Sequence, residues 1–286
     1  MVIEERALAG RNPVIFGEIG DTTRPLVIAV HGFPDTPYTW RHLGPVLAEQ
    51  GFRVVAPWLP GYDAPATGPI SVGTYVRHIE QVRRAFRGDE RSVLIGHDWG
   101  ASAGYGAVAV DPAGYARLVT LAVPPTSALG TSMFSYPQLK KSFYIWFIQQ
   151  VGLAEAALAA PAFWESLWAD WSPGYDCTDD VAQLRQSVPE ASIPGIISPY
   201  RASFNPQFSD PDVEAEAAAT LTPPPVPTLY LHGADDGAIG AELLEDVAAH
   251  LPAPGSSFQL LDGVGHFLHL EQPEIVGGEI ANWLEA

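Results

Sequence analysis

The chain contains a single cysteine, Cys177, in 286 residues. One thiol excludes an intramolecular disulfide framework and any zinc site built on cysteines, and Cys177 reads as a small packing residue. Lysine is almost as scarce, confined to the adjacent Lys140 and Lys141. With 15 Lys+Arg against 33 Asp+Glu the formal net charge is −18, and no basic run is available to meet nucleic acid or an anionic membrane. No apolar run approaches the roughly 18 residues of a membrane span. Residues 1–10 carry Glu4, Glu5 and Arg6 without an apolar core, so no secretory signal is read there and a cytoplasmic location is expected. What is present is 47% hydrophobic residues against 17% charged, enough for a substantial core and too apolar for a disordered chain.

Short runs rich in Val, Ile and Leu alternate with helical segments. Leu26–Val30, Phe52–Pro57, Ser92–Ile95, Leu118–Val123, Thr228–Leu231 and Ser257–Leu261 are such runs. Brief and apolar on both faces, they predict buried parallel strands. Between them, Tyr75, Val76, Ile79 and Val82 recur with helical spacing among charged neighbours. The alternation predicts an α/β fold with a mostly parallel sheet flanked by helices. From 125 to 222 the strand runs stop and aromatics and prolines accumulate, until Pro223-Pro224-Pro225-Val226-Pro227 supplies a stiff connector. The expectation is a core domain of residues 1–124 and 223–286, with 125–222 inserted as a helical lid.

Gly96-His97-Asp98-Trp99-Gly100 directly follows one strand run and directly precedes a helix. A nucleophile flanked by glycines at a strand-to-helix turn is the elbow of the α/β-hydrolase architecture, because the backbone there is strained and the two elements pass close together. Asp98 occupies the nucleophile position, where a carboxylate attacks carbon and forms an alkyl ester. A helix N-cap is the bland role for such an aspartate, but a cap has no need of glycines on both sides. Gly100-Ala101-Ser102-Ala103-Gly104 also spells a serine-hydrolase pattern; no strand immediately precedes it, and Ser102 falls inside the helix.

His31-Gly32-Phe33-Pro34 ends another strand run, and in this architecture it would supply one oxyanion amide. That assigns the backbone N–H groups of Phe33 and Trp99. His266, after the last strand run, fits the late histidine of the order nucleophile, acid, histidine, whereas His269 would point elsewhere. The acid is expected in Gly233-Ala234-Asp235-Asp236, as Asp236 or failing that Asp235, with one of the pair free to cap a helix starting near Gly240.

These motifs together resemble, over nearly the full length, the α/β hydrolases with an aspartate nucleophile, and most closely their epoxide hydrolases. One departure is Ala101, where that family usually has a second glycine. The resemblance implies that two lid tyrosines donate hydrogen bonds to the epoxide oxygen. Tyr144, in Ser142-Phe143-Tyr144-Ile145-Trp146-Phe147, and Tyr200, followed by Arg201, match them. It further implies hydrolysis of an epoxide to a vicinal diol, with Asp98, His266, Asp236, Tyr144 and Tyr200 catalytic and with Phe33 and Trp99 as oxyanion hole and pocket wall. Neither metal nor organic cofactor is called for. The partners expected are a small apolar or aromatic epoxide and water, with monomer and homodimer both open. The alternatives are haloalkane dehalogenation, which uses the same nucleophile but usually has Asn where Phe33 stands, and a non-catalytic binding protein, which has no use for a water-activating base.

Overall fold

The computed structural model describes residues 11–286, so the leader reading of residues 1–10 lies outside the described residues. The strands are β1 (Val14–Phe16), β2 (Leu26–Val30), β3 (Arg53–Ala56), β4 (Val93–His97), β5 (Arg117–Leu121), β6 (Thr228–Gly233) and β7 (Ser257–Leu261). They form a single sheet in the order β1-β3-β2-β4-β5-β6-β7, parallel throughout except for β1 against β3.

The continuous apolar runs are explained by burial on both sides. Leu26, Ile28 and Val30 of β2 face one core with α2 (Val72–Ala85) and α3 (Trp99–Val110). Val27 and Ala29 face the other with α1 (Leu43–Glu49) and the terminal helix Pro273–Glu285. The spacing read for α2 holds, since Tyr75, Val76, Ile79 and Val82 are its buried face. At the start of that helix the Ser71 amide donates to Thr74 Oγ1 at 3.1 Å. Two strand readings need correction. β1 escaped notice because three residues on an edge carry too little pattern. β7 is parallel as expected, but as the opposite edge strand it is only partly buried.

Between β5 and β6, no strand occurs among the described residues. Helices fill the interval, among them Phe143–Ile148, Leu153–Leu158, Pro161–Trp171, Thr178–Ser187 and Ser198–Ala202. Their aromatic faces are continuous with the sheet's core: Tyr144, Trp164, Trp168, Trp171 and Tyr200 share one cluster with Phe33 and Phe267. Trp168 stacks on Phe267 with ring centroids 3.5 Å apart, and its indole N–H donates to the Pro34 carbonyl at 3.3 Å. Such large amphipathic rings give a short helix enough buried area to stay seated. No helix among the described residues is long and apolar enough to cross a membrane. The helix expected to begin near Gly240 is only a short 3-10 turn, Ala241–Leu243.

Candidate active site

β2 and β4 are neighbours, with Val30 paired to Gly96, while β3 continues the chain on the far side of β2. This reversal of strand order opens a crevice at the carboxyl ends of the two strands, the usual place for a site in an open α/β sheet. His31-Gly32-Phe33 leaves β2 there and Asp98 leaves β4.

Asp98 has φ 50° and ψ −117°, a conformation that costs a non-glycine residue roughly 1–3 kcal/mol. Its carbonyl already accepts from Ala101 and Ser102, so α3 starts with no intervening loop and holds the strain in place. The flanking glycines follow from contact distances. A Cβ on Gly96 would lie 2.3 Å from the Gly100 oxygen, and one on Gly100 would lie 2.1 Å from the Val30 oxygen. A Cβ on Gly32 would come within 2.3 Å of the Asp98 Cβ.

The Asp98 carboxylate is nearly buried. Its Oδ1 accepts from the Phe33 amide at 2.7 Å, and the neighbouring Trp99 amide also favours its charged form. Burial pushes the carboxyl up to about 6, against the nearby His266 and these two amides, which favour the anion. His266 Nδ1 donates to Asp236 Oδ2 at 2.9 Å, which directs the lone pair of Nε2 toward Asp98. Burial opposes charge on this imidazole, but Asp236, then Asp98 and Glu271, outweigh it and lift the group above its ordinary value. Asp236 is wholly buried and Asp235 is exposed, so Asp236 is the carboxylate beside His266. It also fills the turn: Oδ1 accepts from the Ala238 and Ile239 amides at 2.7 and 2.9 Å. These bonds and His266 hold it ionised despite burial.

Tyr144 and Tyr200 come from different helices and meet edge to face, centroids 5.6 Å apart. The Tyr200 ring lies 5.1 Å from Phe33, whose amide holds Asp98, and 4.9 Å from Trp99, the residue after Asp98. Tyr200 Oη is buried without a hydrogen-bond partner. Burial, then the charge of Asp98, pushes both phenols well above their usual range, so they stand as neutral donors facing an anion. Arg201 explains how the two helices keep register. Its guanidinium forks onto Glu155 at 2.6 and 3.0 Å and donates to the Ile148 carbonyl at 2.9 Å. The Tyr-Arg pair was visible in sequence, but its partner Glu155 was not.

The profile of the alpha/beta hydrolase fold family matches residues 25–273. The chain belongs to the α/β hydrolase fold family. This α/β hydrolase is 28% identical over 308 residues to epoxide hydrolase A of Mycobacterium tuberculosis, covering 93% of this chain and 92% of that protein. Its fold is similar to the crystal structure of epoxide hydrolase A from Mycobacterium thermoresistibile, with TM-score 0.77, 24% identity and coverage of 96% and 94% of the two chains. It is similar also to a haloalkane dehalogenase loop variant from Bradyrhizobium elkanii, with TM-score 0.74, 20% identity and coverage of 97% and 95%.

The remaining candidates of this α/β hydrolase sit apart. Ser102 lies in the first turn of α3 and makes no side-chain hydrogen bond to His266. His269 bonds Thr39 and stacks on Trp40, away from Asp98. With Asp35 and His97 it forms a buried group whose donor atoms lie within 4.8 Å of one another, and His97 Nε2 donates to the His266 carbonyl at 3.0 Å. Cys177 is partly buried and unpaired, packed against the aromatic core.

Proposed function

We propose that this α/β hydrolase opens epoxides to vicinal diols through an alkyl ester on Asp98. The reading is carried by the two buried phenols set against a buried carboxylate at a strained elbow. Oδ1 of Asp98 is occupied by the Phe33 amide, leaving Oδ2 to attack a ring carbon from the side opposite its C–O bond. That bond breaks, its electron pair goes to the epoxide oxygen, and a tyrosine hydroxyl supplies the proton. Solvent water returns a proton to the phenolate. His266 Nε2 then takes a proton from a second water as its oxygen adds to the ester carbonyl. The oxyanion rests on the Phe33 and Trp99 amides, and collapse expels the diol oxygen, which takes the proton back from His266; Asp98, left as the acid, releases its proton to solvent, which replaces the one drawn by the phenolate. Asp236 orients the ring and supports its positive charge.

Residues 125–222 act as a lid over the core domain of 1–124 and 223–286. Trp164, Trp171, Phe33 and Trp99 around the tyrosines favour a small apolar or aromatic epoxide. One observation favours a second reading. The Trp99 indole N–H is buried without a partner, and such a donor suits a departing halide in haloalkane dehalogenation. A panel of aryl and alkyl epoxides and haloalkanes, assayed for diol and halide, separates the two. Diol from epoxides without halide release supports the proposal; halide release alone overturns it.

A further inference from the structure

His266 stands on a loop between β7 and the short helix Leu268–Glu271, with no ladder of its own to hold it. Three consecutive amides of this loop are nevertheless all engaged. Gly265 N–H donates to Glu271 Oε2 at 2.8 Å, His266 N–H to the Trp171 carbonyl at 3.0 Å, and Phe267 N–H to Ser172 Oγ at 3.0 Å. The Ser172 hydroxyl closes the set by donating to Glu271 Oε1 at 2.7 Å. Two of these partners, Trp171 and Ser172, form the carboxyl end of helix Pro161–Trp171, which belongs to the helical insertion and not to the sheet.

The same helix end reaches the acid. The Trp171 carbonyl also accepts from Gly237 N–H at 3.1 Å, one residue past Asp236. Contact is close enough to forbid side chains on both loops. A Cβ on Gly265 would lie 2.6 Å from the Ser172 Cα, and one on Gly237 would lie 1.8 Å from the Asp170 oxygen. Ser172 is fully buried.

From this clamp we infer that Ser172 and Glu271 are positioning residues for His266, through which the helical insertion sets the place of the water-activating imidazole. The inference rests on the ester mechanism proposed above, where His266 serves ester hydrolysis and not ester formation. The side chains of Ser172 and Glu271 make no hydrogen bond to Asp98 or to the tyrosines, so their effect falls on the second step. A misplacement of about 1 Å in such a group costs on the order of a hundredfold in rate.

The test uses the full chain carrying Ser172→Ala, Glu271→Ala or Glu271→Gln, with single-turnover rates for both steps on an epoxide that forms the ester. The expected result is ester hydrolysis slowed roughly ten- to a hundredfold in the two alanine variants, with ester formation within about twofold of the parent. Glu271→Gln keeps a carbonyl for the Gly265 amide and recovers most of the rate; loss equal to Glu271→Ala would overturn the hydrogen-bond account. Equal slowing of both steps, or hydrolysis at the parent rate in both alanine variants, would also overturn it. A second readout needs no substrate. The NMR signal of the His266 Nδ1 proton shared with Asp236 is expected to shift or broaden in Ser172→Ala, and an unchanged signal contradicts the inference. If no epoxide alkylates Asp98, the reaction reading has failed, and the NMR measurement still decides the positioning.

Discussion

Nε2 of His266 lies 3.8 Å from Oδ2 of Asp98, outside hydrogen-bonding distance, and has no other polar partner. A histidine that activates a serine must bond its hydroxyl, because the hydroxyl has to lose a proton to attack. A carboxylate attacks as it stands. The gap therefore suits a base that waits for water, while Asp236 at 2.9 Å fixes the ring from behind.

The tyrosines give the first prediction. On the proposed mechanism, Tyr144→Phe and Tyr200→Phe each remove one donor to the leaving oxygen and leave the rings to pack. Each is expected to slow ester formation about ten- to a hundredfold, and the double variant to lose nearly all of it, since a positioned proton donor contributes roughly 10²–10⁴. Single-turnover burst rates measure this; a double variant that opens epoxides at the parent rate refutes the role.

The second prediction concerns pH. In the proposed mechanism ester formation needs the Asp98 anion and should rise with pH through about 6. Ester hydrolysis needs neutral His266, whose value is lifted above 6.5, so that step should rise at higher pH. The same burial has a consequence for stability. Asp98 moves from 3.8 unfolded to about 6 folded, so the folded chain holds a proton that the unfolded chain releases, and stability declines as pH rises through that window. Asp98→Asn removes the penalty. It should stabilise the protein by on the order of 2–3 kcal/mol at pH 8 and by almost nothing at pH 3, as read by urea unfolding. Equal effects at both pH values would contradict the assignment.

The third prediction tests the elbow. Gly100→Ala puts a methyl group against the β2 carbonyl, where neither backbone can yield without moving a central strand. A loss of about 3 kcal/mol or more is expected, or failure to fold. Ser102→Ala, one turn along the same helix, is expected to leave both stability and turnover near parental values. Denaturant midpoints and epoxide turnover of the two variants settle the contrast between the two overlapping motifs.

Much of this architecture was legible because its signals are local. The runs in β2, β4, β5 and β6 are apolar on both faces because both faces are covered, and the Gly96 to Gly100 motif is local steric necessity. Asp236 could be preferred to Asp235 but not separated from it, since neighbouring carboxylates differ only in which way the turn directs them; one is buried and the other exposed. The hold on His266 was illegible for a different reason. Ser172 and Glu271 are 99 residues apart, carry no motif, and meet only because helix Pro161–Trp171 ends against the loop after β7. The antiparallel β1 was missed because three edge residues show no period.

The fourth prediction addresses the covalent intermediate. His266→Gln removes the base but leaves a polar group of similar reach, so the Asp98 carboxylate, still held by the Phe33 amide, keeps its ability to attack. Water without a base is a poor nucleophile, so the ester should persist and the variant should accumulate it. With an epoxide, ring opening expels nothing, and intact mass should rise by that of one whole substrate molecule. With a haloalkane, halide departs and only the alkyl group is added, so the mass itself identifies the reaction. Peptide mapping after brief exposure should place the adduct on Asp98 in the segment Gly96–Gly100. A serine mechanism through Ser102 would lose attack along with the histidine and trap nothing on Asp98. An adduct on Ser102, or epoxide turnover surviving in Asp98→Ala, would end the aspartate mechanism for this chain.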